Sequence, residues 1–87
     1  MLTISKNDVK AMMSVDLLAE LHQIREKIAF FQRKYNAPLS EIENRAVQGG
    51  EDFALDDDLL EWKAYTRMEE DRVHTLEEIR HERFSVA

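Results

Sequence analysis

Cysteine is absent from this 87-residue chain, proline occurs once and glycine twice. Without thiols, neither a disulfide framework nor a thiolate zinc site can stabilise so short a chain, and the redox compartment carries no mark. Uninterrupted apolar runs fall well short of the roughly 20 residues that span a bilayer. The opening MLTISKNDVK has neither the apolar stretch nor the small-residue cleavage site of a signal peptide. A soluble cytoplasmic protein without membrane contact is therefore expected. Eighty-seven residues make one domain at most, and chains of this size bury too little of their own surface to be more than marginally stable alone. The remaining route to extra burial is a second chain, which points to a homo-oligomer, most simply a dimer.

The net charge of −6 is unevenly distributed. Residues 1–39 hold six basic and four acidic side chains, whereas the remainder holds fourteen acidic and six basic ones, a balance of +2 against −8. Nucleic acid binding needs a clustered basic face, so DNA and RNA are not the expected ligands. A basic protein surface suits the second half better.

Because Pro38, Gly49 and Gly50 are the only strong breaks, long helices are expected between them. Leu17, Leu21, Ile24, Ile28, Phe31 and Tyr35 recur at steps of four and three, a heptad-like stripe. Ser5 with Asp8 reads as a capping box, so the first helix is expected over about 5–35, with Ser14 as a later candidate cap. The doublets Met12-Met13, Leu17-Leu18 and Phe30-Phe31 widen the stripe beyond what one neighbour covers. Asn36 suits a left-handed turn and Pro38 the start of a short helix, about 39–48, with Leu39, Ile42, Ala46 and Val47 facing inward.

After an acidic loop with Phe53 and Leu55, a third helix is expected over about 57–82. Leu59, Trp62, Tyr65, Thr66, Glu69, Val73, Leu76 and Ile79 mark its inner stripe, and the polar middle at Glu69 and Arg72 suggests a contact between helices. The termini, MLTIS and RFSVA, carry some strand character. The fold class that follows is all-α: one domain over 1–87, an antiparallel hairpin of two long helices joined by a short one, dimerising into a four-helix bundle. Leu17, Leu21, Ile24, Ile28, Phe31, Leu76 and Ile79 are the residues expected to form the core of that oligomer.

The run Asp56-Asp57-Asp58 needs no metal. Carboxylates in a first helical turn accept unpaired amides and oppose the macrodipole. A calcium loop requires a different spacing and a glycine that is not there. Asp71/His74 and Glu78/His81 form two carboxylate-x-x-His pairs, but helical rotation sets both histidines roughly 140–160° from Leu76, facing outward. His22 and Glu26 make an ordinary i, i+4 surface pair. No phosphate loop, nucleophile elbow or carboxylate cleft is present, so neither catalysis, a cofactor nor a metal is expected.

The heptad-like first helix ending in FFQRKYNAPLSEIENR, the Gly-bounded acidic loop and the opening DDDLLEWKAYTRMEED of the last helix resemble TumA-type antitoxins, partners of TumE-type toxins. The resemblance covers roughly residues 17 to 80. It implies a non-enzymatic module that neutralises a basic toxin by direct contact. On this reading Asp56, Asp57 and Asp58 speed encounter, while Leu59, Trp62 and Tyr65 supply affinity if exposed. The alternative is a homo-oligomeric coiled-coil or four-helix structural protein.

Overall fold

In the computed structural model, which describes residues 5 to 81, the chain enters its first helix at Ser5. The Ser5 hydroxyl accepts the Asp8 amide at 3.1 Å while the Asp8 carboxylate accepts the Ser5 amide at 3.2 Å. This reciprocal cap satisfies two otherwise orphaned donors and fixes the early start. Helix α1 (Lys6–Tyr35) follows. Asn36 stops it in a left-handed conformation, φ 49°. Asparagine tolerates that region because its short side chain relieves the strain that a bulkier one meets.

Helix α2 (Leu39–Gln48) begins after Pro38, whose carbonyl accepts the amides of Glu41 and Ile42. It ends at Gly49, where an added Cβ would lie 2.9 Å from the Arg45 carbonyl oxygen. Gly50 turns the chain with a φ of 80°. Helix α3 (Phe53–Arg80) completes the order, and no strand occurs among the described residues. Any pairing of the two termini lies outside those residues.

Side-chain bonds link Lys34 to Asp58, Arg25 to Glu69 and Glu20 to Arg72, so α1 and α3 run in opposite directions. The result is an all-α antiparallel hairpin. It is a rod of 62 × 19 × 18 Å with a radius of gyration of 17.8 Å, against about 12 Å for a compact chain of this length. Packing concentrates at the bend, where Phe31, Ile42, Leu59 and Trp62 form a buried cluster closed by Ile28, Tyr35, Leu39, Leu55 and Tyr65. Further along the rod Leu21, Ile24 and Ile79 continue the seam.

Two expectations are corrected. Helix α3 starts four residues before 57, because Asp52, with extended backbone at φ −146°, caps it by accepting the Leu55 amide at 3.1 Å. Phe53 and Leu55 are thus helical and not part of a loop. Val47, expected inside, is 86% exposed. Rotation of about 100° per residue sets it beyond the arc of Leu39, Ile42 and Ala46 that meets the other helices.

The polar middle of α3 resolves as cross-helix ion pairs. Arg25 Nε donates to Glu69 Oε2 at 2.9 Å, and Arg72 Nε donates to Glu20 Oε2 at 2.6 Å. Both pairs sit at the edge of the seam, where water still reaches them, and flank the buried Leu21 and Ile24.

Candidate protein-binding surface

The three consecutive aspartates have three different environments. Asp56 lies in the first turn of α3 and is exposed; Asp57 is exposed as well. Asp58 points back at α1, where its Oδ2 accepts both Lys34 Nζ and the Tyr35 hydroxyl at 2.5 Å. The bond from Lys34, then that from Tyr35, holds the Asp58 carboxyl below its ordinary value. Burial, together with the Asp58 carboxylate, pushes the Tyr35 phenol up to about 12. Asp58 is therefore a staple within the chain and not a charge on offer to a partner.

Leu59 and Trp62 are likewise corrected: both are buried, Trp62 to 1% exposure. The indole is stacked between Phe31, 5.7 Å away at 14°, and Tyr35, 6.0 Å away at 17°. Tyr65 is half-buried against the same cluster. The α1 stripe that reads as an open seam in sequence is met by α3 in the same molecule, which buries Trp62 and leaves Tyr65 partly exposed.

The residues expected to form an oligomer core have the same fate. Leu21, Ile24, Phe31 and Ile79 are buried inside one hairpin, and Leu17, Ile28 and Leu76 are half-buried there. Intramolecular closure covers part of the surface that a second copy was expected to cover, and leaves Leu17, Ile28 and Leu76 half-open.

What stays open is the other member of each apolar doublet. Met12, Leu18 and Phe30 lie outside on α1, and Leu60 lies outside on α3 at 70% exposure. Leu60 and Val47 face each other across an open groove of about 340 Å³ between α2 and α3, floored by Leu59 and Ala46 and edged by Glu43, Asp56 and Lys63. Phe53, 75% exposed and seven residues before Leu60, extends the same side of α3. Lys63 reaches Glu43 across the groove at 3.5 Å. Asp56, Asp57 and Glu61 have no ion-pair partner among the described residues. An apolar groove with unpaired carboxylates on its rim results. The signal that could have found it is the doublet Leu59-Leu60, since adjacent helical residues point about 100° apart and only one can face the core.

His74 and His81 are exposed and paired with Glu78 and Glu77 at 2.8 and 3.6 Å, and His22 is exposed beside Glu26 at 3.1 Å. Among the described residues no group of three His, Cys, Asp or Glu side chains converges as a metal site, and no helix is long and apolar enough to cross a membrane. No buried side-chain nitrogen or oxygen of these residues lacks a hydrogen-bond partner. No family model matches the chain, and neither a curated protein nor a solved structure is similar to it.

Proposed function

We propose that the hairpin is a non-enzymatic protein-binding module of the cytoplasm, and in particular an antitoxin that neutralises a basic toxin by direct contact. One observation carries this reading: Val47, Leu60 and Phe53 stand exposed beside Asp56, Asp57 and Glu61, carboxylates unpaired within the described residues. Exposed apolar side chains grouped with charge of one sign mark interaction surfaces. Carboxylates without internal partners attract a basic surface and speed encounter, while the apolar groove holds it. The resemblance of FFQRKYNAPLSEIENR and DDDLLEWKAYTRMEED to TumA-type antitoxins supports the same partner class.

The test is to look for a neighbouring open reading frame that encodes a basic protein and to express that protein with and without this chain. Growth arrest by that protein alone, relieved by co-expression and accompanied by a co-purifying complex that Leu60→Ser weakens, is the expected result. A neighbour that is harmless or does not bind defeats the reading.

Met12, Val15 and Leu18, exposed toward the far end of α1, favour a second reading, a homo-oligomeric coiled-coil or four-helix structural protein. Light scattering at low micromolar concentration separates the two. A stable oligomer there, dissolved by Val15→Ser, supports the scaffold.

A further inference from the structure

The outer side of α1 near the bend carries one exposed aromatic ring, Phe30, set among Glu26, Lys27, Ala29 and Arg33. Most cations of the described residues are engaged: Arg25, Lys34, Arg45, Lys63, Arg72 and Arg80 each hold a carboxylate. Lys27, Arg33 and Arg67 do not, and the first two flank Phe30. The α2–α3 groove presents the converse, an apolar seat between Val47 and Leu60 with Asp56 on its edge and Asp57 nearby. Glu43 and Lys63 in the groove are paired with each other, and Glu26 beside Phe30 is paired with His22, so Lys27 and Arg33 on one face and Asp56 on the other are the lining charges without an ion-pair partner among the described residues.

We infer that the chain associates head to tail with a second copy of itself. The Phe30 ring of one copy sits between Val47 and Leu60 of the next, and Lys27 and Arg33 meet Asp56 and Asp57. Met12, Val15 and Leu18 make a competing face for self-association, with Asp16 beside it, whereas the Phe30 side and the groove carry unpaired charges of opposite sign. Joining two different faces leaves one of each open at the ends, so the assembly lengthens with concentration and does not stop at a dimer. The contact is small beside the roughly 1,200 Å² that stable interfaces bury, and a net charge of −6 on each copy opposes approach. Association is consequently weak, appearing above about 100 µM. It does not depend on a foreign partner, although such a partner would compete for the groove.

Sedimentation velocity on the full chain, from about 10 µM to about 1 mM in roughly 0.1 M salt, tests this. The weight-average mass of the wild type is expected to rise steadily from 10.3 kDa. Phe30→Ser and Leu60→Ser, both on exposed positions, are each expected to remain monomeric with unchanged helicity. Mixed together they should form a 1:1 dimer and nothing larger, since one keeps the groove and the other keeps the ring. Lys27→Glu with Arg33→Glu supplies a second block that touches no apolar residue, and Asp56→Lys with Asp57→Lys on the other copy should restore association. A wild type that stays monomeric at about 1 mM, single variants that associate as the wild type does, or mixtures that fail to pair would each overturn the inference. So would loss of association on Met12→Ser with Phe30 intact. A monomeric wild type would leave the basic-partner reading standing.

Discussion

The Tyr35 hydroxyl donates to Asp58 Oδ2 at 2.5 Å, tying the last turn of α1 to the first turns of α3. Lys34 donates to the same oxygen, so one carboxylate receives a neutral and a charged donor from neighbouring residues. The Tyr35 ring lies on Trp62, and polar and apolar contacts thereby close the bend from two sides.

This staple gives stability a dependence on pH at both extremes. The Asp58 carboxyl is held below its ordinary value by Lys34 and then Tyr35, so its contribution is present above about pH 4 and is lost as acid protonates it. The Tyr35 phenol is raised to about 12, so its contribution is complete below the ordinary tyrosine range and lost as pH climbs through about 12. Absorbance titration of Asp58→Asn should bring one tyrosine back toward the ordinary value. An unmoved titration curve would contradict the bond.

Tyr35→Phe keeps the stacked ring and removes only the donor. A loss of about 1 kcal/mol in urea unfolding at neutral pH is expected, shrinking when Asp58 is already Asn. Equal losses in the two backgrounds would show that the hydroxyl acts elsewhere.

Leu59 and Leu60 are neighbours with opposite surroundings. Leu59→Ala should cost about 2–5 kcal/mol by opening a cavity over Trp62, whereas Leu60→Ala should fall within about 0.5 kcal/mol of the wild type. Thermal or urea unfolding of the two variants measures the contrast.

Trp62→Ala removes the ring between Phe31 and Tyr35 and should cost about 3–5 kcal/mol, much of what a chain of this size has. Any effect on a partner would come through the fold. A Trp62→Phe variant that regains both stability and binding is the check.

Asn36→Gly should be neutral or mildly stabilising, because φ 49° suits glycine, and Asn36→Val should cost about 1–2 kcal/mol for holding a β-branched residue there. Unfolding midpoints of the pair decide it.

The helices themselves were legible in the residues. The capping box at Ser5, the break at Asn36 and Pro38 and the two glycines mark local backbone preferences, which act over a few residues and need no partner. The inner stripes of α1 and α3, including the ion-pairing middle at Glu69 and Arg72, followed from helical periodicity. The start of α3 was misplaced because Asp52 and the Asp56–Asp58 run offer the same capping chemistry, and only the turn after Gly50 selects between them. Which apolar residues would remain outside was not legible either. A heptad stripe is equally satisfied by α3 of the same chain or by another molecule, and the choice rests on whether the connection lets the helix fold back. Once it does, Leu59 and Trp62 are spent on the core, and Val47, Leu60 and Phe30 are left as the exposed anchors. Periodicity determines which side chains share a face, while tertiary closure decides which of those faces is free, because a surface on the same chain competes at a far higher effective concentration than one on another molecule.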